Sequence, residues 1–148
     1  MKLLFSLLLF TFFQNPTPLW LTDMEKAKAE ASRSDKHILI NFSGSDWCVP
    51  CIRMHKDIFE SAAFEKYADN NLVLVNIDFP RLKKNKLSKE QTRKNELLAD
   101  KYNPHGSFPL TILTDANGKT LKQWEGFPNE KPEEFISEIE SVFHTAMR

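Results

Sequence analysis

Two apolar runs rich in β-branched residues, HILINF (His37 to Phe42) and NLVLVNID (Asn71 to Asp78), flank a helical segment, and this arrangement constrains the fold more than any other feature. Each run predicts a buried strand. Strands joined through a helix cannot turn back on themselves as a hairpin, so the pair is expected to be parallel with a right-handed crossover.

The remaining elements fit around that pair. Thr22 followed three residues later by Glu25 is a capping-box signature, and Met24, Ala27 and Ala31 fall on one face of a helix running to about Ser34. Ile52 to Phe59 continues helically after the first strand, and Ser61 is placed to cap a second short turn carrying Phe64 and Tyr67. Ser88 with Gln91 forms another capping box, opening a helix that includes Leu97, Leu98 and Tyr102. The stretch LTILTDANGKTLKQWEGF holds two strand-like runs separated by Asp115 to Gly118, an Asn-Gly hairpin signal, so these strands should be antiparallel. Pro132 suits the first position of a last helix that runs past Phe135, Ile139 and Phe143. The expected architecture is α/β, a central mixed sheet with helices on both faces.

At the N-terminus, Lys2 precedes an uncharged apolar stretch from Leu3 to Phe13 that ends at Gln14, Asn15 and Pro16. A positive start followed by a short apolar core has the shape of an export signal. A spanning helix needs roughly 20 apolar residues, and this run falls short. Residues 1–16 are therefore expected to be a signal peptide or a retained N-terminal anchor, with 17–148 as the folded domain. A strand or core helix of the domain is the rival reading. No pair of small residues marks a cleavage point near Pro16, and no cysteine follows closely to carry a lipid.

Both cysteines, Cys48 and Cys51, lie in FSGSDWCVPCIRMH. At 148 residues the chain can bury a core without disulfides. So short a ring constrains little of the unfolded chain, which argues against a purely structural staple. Cys48 stands where a loop leaves the strand and a helix begins, so its sulfur meets unpaired N–H groups and the positive end of the helix dipole. Such a thiol can have its pKa lowered to roughly 3.5–7.5 and act as a nucleophile at neutral pH. Cys51, one helical turn later, is expected to be the more buried of the two, and Pro50 between them gives up an N–H that an early helical position does not miss. A structural zinc site wants four ligands, and no second Cys-X-X-Cys is present. Copper binding by the pair with His55 or His105 as third ligand stands as the alternative, although both histidines also read as surface, core or loop residues.

Twenty basic residues balance twenty acidic ones. Phe79 to Lys94 departs from that balance, with Arg81, Lys83, Lys84, Lys86, Lys89, Arg93 and Lys94 against Glu90 alone. This reads as a solvated insertion or as a docking surface for an acidic partner. No aromatics interleave the basic run, so nucleic acid is not expected as a partner.

WCVPC after an apolar strand, SFPLTIL with Pro109 opening a later strand, an Asn-Gly hairpin and a C-terminal helix together resemble the thioredoxin fold. The opening LWLTDMEKAKAEASRSDKHILINFSGSDWC is similar to exported bacterial thioredoxin-like proteins in which a helix directly precedes the active-site strand. The resemblance covers about Leu19 to Phe143. It implies that Cys48 attacks a disulfide, that Cys51 resolves the adduct, and that Trp47 is a platform at the rim. It further implies that Pro109 is cis, presenting the backbone of Phe108 to an extended substrate. Protein or peptide disulfides would be the substrates, with no bound cofactor, a membrane electron donor, and a monomeric protein in an extracytoplasmic compartment. Val49-Pro50 between the cysteines resembles the reducing members of the family. Two departures follow from the same comparison. Asn41 stands where a buried aspartate is usual, and Leu74 where its lysine partner is usual, which leaves the proton acceptor for Cys51 open. Asp46, the nearest acid, reads as a solvated loop carboxylate.

Overall fold

The computed structural model describes residues 20–146, with side chains to residue 143. Residues 1–16, the expected signal or anchor, lie outside the described residues. A five-stranded sheet runs in the order β1-β3-β2-β4-β5. The central strands β2 (His37–Ser43) and β3 (Leu72–Asp78) are parallel over their full lengths, from His37 opposite Leu72 to Ser43 opposite Asp78. β4 (Leu110–Thr114) runs antiparallel to β2, and β5 (Thr120–Glu125) antiparallel to β4, which makes the sheet mixed as expected. A two-residue strand not foreseen from the sequence, β1 (Trp20–Leu21), pairs with Leu74 and Val75.

The helices begin where capping chemistry permits. α1 (Met24–Ser34) is capped by Asp23 rather than Thr22, because the Asp23 carboxylate accepts the N–H groups of both Glu25 and Lys26. Thr22 instead offers its carbonyl to the Gln91 side chain. α2 (Val49–Met54) passes into a π-helical turn at His55–Phe59. Ser61 caps α3 (Ala62–Asn71), a ten-residue helix where the sequence suggests only a short turn. Ser88 caps α4 (Lys89–Tyr102) by accepting from the Gln91 N–H. The box is not reciprocal, since the Gln91 amide reaches out to Thr22 and Asn95. α5 (Pro132–Ala146) begins at Pro132. In the β4–β5 turn, Asp115 Oδ1 accepts the N–H groups of Asn117 and Lys119, and Gly118 takes a φ of 85° that an L side chain resists.

Alternation along the strands divides the core between two faces. Ile38, Ile40 and Phe42 pack with Val73, Val75 and Ile77 under α1 and Tyr102 of α4. Leu39, Leu74 and Leu113 face the other way, under Met54, Ile58, Phe64, Phe135 and Ile139 from the α2, α3 and α5 side. Phe135 is fully buried, and truncating it to alanine would cost about 3–5 kcal/mol. Both faces being covered, the upper end of β2 is a rigid place from which to present the loop that leads to the cysteines.

Candidate active site

β2 ends at Ser43, and Gly44 turns the chain by accepting the N–H groups of Trp47 and Cys48 at 3.2 and 2.9 Å. A Cβ on Gly44 would lie 2.3 Å from Trp47 Cε2, so the indole packs where only glycine leaves room. Cys48 is the N-cap of α2, and Cys48 and Cys51 are joined in a disulfide. Cys48 Sγ accepts the Cys51 N–H at 3.3 Å, an interaction that favours a thiolate once the bond is reduced. Both cysteines are nearly enclosed, while Val49 is 65% exposed and Ile52 45% exposed beside them. The dithiol therefore sits in an apolar patch at the start of a helix.

The Phe108–Pro109 peptide bond is cis. Three aromatic rings form a wall there: Trp47 meets Phe108 edge-on at 5.5 Å, and Phe79 meets Phe108 at 5.6 Å. The Trp47 indole N–H donates to the Phe79 carbonyl at 2.7 Å, and the Arg81 guanidinium lies 3.6 Å over the Trp47 ring. On the other side, Val49, Pro50, Arg53, Phe108, Phe127 and Asn129 line a shallow groove. Arg53 lies over the Phe127 ring and donates to Asn129 Oδ1 at 3.3 Å, tying α2 to the loop before α5.

Asp46 is a partly exposed loop carboxylate, as the sequence suggests, and it also binds the chain after β3. Its carboxylate accepts the N–H groups of Arg81 and Leu82 and the side chain of Asn85, at 2.9, 3.0 and 2.9 Å. The Arg81 N–H, followed by these other donors, holds its pKa below the usual carboxylate value. Asp46 is thus a clamp on the segment after β3. Asp78 adds a second clamp, accepting both the N–H and the hydroxyl of Ser45.

Asn41 is buried, as its alignment with the family's acid requires, but its partner is not Leu74. Leu74 lies opposite Leu39, and Asn41 lies opposite Asn76, with Nδ2 3.4 Å from Oδ1. Thr111 donates to Asn41 at 3.3 Å and approaches Met54 Sδ at 3.7 Å, so a neutral polar set occupies the region beneath α2. His55 pairs with Glu60 at 3.1 Å and stacks near Trp20 and Phe59. His105 is exposed in the loop between α4 and β4. Among the described residues, no group of three or more His, Cys, Asp or Glu side chains is placed to hold a metal ion.

The structure thus brings Trp47, Cys48, Cys51, Phe108 and Pro109 to one end of the sheet. Gly44 and Phe79 join them without having stood out in the sequence, and so does Arg81, which the sequence marks only as one member of a basic run. A glycine three residues before a tryptophan, and an arginine just past the end of β3, are weak signals until the register of β2 and β3 brings their loops together.

A family model described as thioredoxin-like domain matches residues 24–143. The chain is 38% identical over 114 residues to the disulfide bond reductase DsbH of Chlamydia pneumoniae, covering 76% of this chain and 66% of that protein. It is 26% identical over 112 residues to the thioredoxin-related protein DsbJ of the same organism, covering 76% of this chain and 31% of that protein. The matched region thus falls just short of two thirds of the first relative's length and is under a third of the second's. A solved structure of a DsbH oxidoreductase superposes with a TM-score of 0.78 at 31% identity, covering 86% of this chain and 85% of that one. A poplar thioredoxin h has the same fold, with a TM-score of 0.60 at 19% identity over 86% of this chain and 97% of its own. The chain belongs to the thioredoxin-like family and carries its Cys-X-X-Cys pair as Cys48 and Cys51.

Proposed function

We propose that this protein is a thiol–disulfide oxidoreductase that reduces protein disulfides outside the cytoplasm. The observation that carries this is the Cys48–Cys51 disulfide at the N-terminus of α2, with Cys48 Sγ accepting the Cys51 N–H. In the reduced enzyme the Cys48 thiolate attacks one sulfur of a substrate disulfide and releases the other as a thiolate, which takes up a proton. Cys51 then loses its proton and attacks Cys48 Sγ, freeing the second substrate thiol and leaving the enzyme disulfide. Two electrons pass from the dithiol to the substrate. Asn41, Asn76 and Thr111 supply no proton acceptor near neutral pH, so the Cys51 proton passes to the departing thiolate or to solvent.

Phe108 and Pro109 present backbone to an extended substrate segment, and Trp47 forms the adjoining wall. Export of the chain by its N-terminal segment, action as a monomer, and reduction by a membrane donor complete the proposal. The copper alternative gains no support from His55, which is committed to Glu60.

The test is reduction of a protein disulfide by the pre-reduced protein, with the potential read by equilibration in glutathione buffers. Turnover with a potential near the thioredoxin value of about −270 mV is expected. A dithiol that remains reduced in strongly oxidising buffer would mark an oxidant instead.

A further inference from the structure

The segment after β3 is held against the dithiol by bonds from two acids. Asp46 takes three donors from Arg81, Leu82 and Asn85, and Asp78 takes two from Ser45, while Asn95 donates to the Asp78 carbonyl. Both carboxylates nearest the rim therefore serve the loop's own framework. The basic side chains of the same segment point to a different use. Lys94 pairs with Asp23 and Glu90, but among the described residues no ion pair includes Arg81, Lys83, Lys84 or Lys86.

Arg81 is the one of these that reaches the site. Its exposed guanidinium lies over Trp47, its carbon 3.6 Å from the ring centroid, and Trp47 directly precedes Cys48 and abuts Phe108. Stacking uses the faces of a guanidinium and leaves its in-plane N–H donors to match a carboxylate. Trp47 is itself fixed by its bond to the Phe79 carbonyl, so the ring that Arg81 lies against has a set position. Trp47 touches both Arg81 and Phe108, so a single ring joins this charge to the Phe108 side of the site.

We propose that Arg81 is a specificity-determining residue that binds a carboxylate of the substrate, an aspartate or glutamate within a few residues of the disulfide attacked by Cys48. The proposal rests on the oxidoreductase activity proposed above and names the substrate class for that site. Its occupant is an acidic extended segment, chosen by charge complementarity with a cation that has no ion pair among the described residues and lies over the residue before Cys48.

The test uses two disulfide-linked peptides of equal length, one with glutamate two residues from the cysteine and the other with glutamine there. Wild-type protein should reduce the glutamate peptide with a kcat/KM about two- to fivefold higher, the range that an exposed charge pair supplies, and the ratio should shrink as salt is raised. In Arg81→Gln the ratio should fall to about one. Retention of the wild-type ratio in Arg81→Gln, or equal slowing of both peptides with the ratio unchanged, would overturn the assignment and leave Arg81 as a prop for Trp47. A wild-type ratio near one with both peptides reduced would overturn it as well. Failure to reduce either peptide or a protein disulfide would sink the activity itself, a distinct outcome.

Discussion

Across the β2–β3 pair, the buried Asn41 side chain faces Asn76, with Nδ2 3.4 Å from Oδ1. Two neutral amides therefore occupy a place where a buried ion pair would have to be desolvated on folding. Asn41→Asp would put a carboxylate there with no cation opposite it, and burial would raise its pKa. Expected is a loss of about 1–3 kcal/mol at pH 8 that shrinks as the pH falls and the acid takes up its proton. Urea unfolding at both ends of that range checks it. The step that releases the mixed disulfide should gain a new inflection with pH, and an unchanged profile would place the Asn41 position out of reach of Cys51.

The two sulfurs should divide their labour. Cys51→Ser is expected to attack a substrate disulfide and stop as a mixed disulfide, whereas Cys48→Ser should form no adduct and show no turnover. Mass spectrometry after acid quenching distinguishes these states. Equal trapping by the two variants would reverse the roles or abolish the distinction.

Gly44→Ala should displace the Trp47 ring, since the added methyl would start 2.3 Å from it. The indole cannot move without weakening its bond to the Phe79 carbonyl. A loss of about 1–3 kcal/mol, the usual cost of overpacking, should accompany a changed tryptophan fluorescence and slower reduction of peptide disulfides.

The Asp46 clamp sets a pH dependence. Its pKa is lowered from 3.8, first by the Arg81 N–H, so its contribution is fully present above that unfolded-state value and is lost as pH falls through the lower folded value. Protection of the Arg81 and Leu82 amides, taken relative to their intrinsic exchange rate at each pH, should accordingly be high at neutral pH and fall in strong acid. In Asp46→Ala, which removes both acceptor oxygens, protection should be low throughout. High protection in that variant would show the segment to be held by other contacts.

Reversing Lys83, Lys84 and Lys86 to glutamate should slow association with an acidic protein partner and flatten its dependence on salt, while a small neutral disulfide is reduced at the wild-type rate. Slowing of both substrates together would mean that the change had reached the fold.

Much of the fold was legible because it rests on patterns local to one element. The apolar runs of β2 and β3, the Asn-Gly turn and Pro132 each carry their own signal. α1 shows where such reading slips: Thr22 fits the capping-box spacing, but Asp23 is a stronger acceptor one residue later and takes the position. The cysteine pair was legible for the same local reason. The roles of Asp46 and Arg81 were not, since both depend on loops 35 residues apart that meet only after β2 and β3 align in register. The partner of Asn41 was hidden likewise, because choosing Asn76 over Leu74 requires the strand register.

The basic segment 79–94 leads into α4, which packs on one face of the sheet, whereas α5, on the other face, carries Glu133, Glu134, Glu138 and Glu140 without a lysine or arginine. Between these two elements, charge of opposite sign is separated across the sheet. A distant charged partner would exert little net pull on a chain whose charges sum to zero but would exert a torque, turning the positive face forward as the two approach. Any gain in encounter rate would come from arriving already facing the right way.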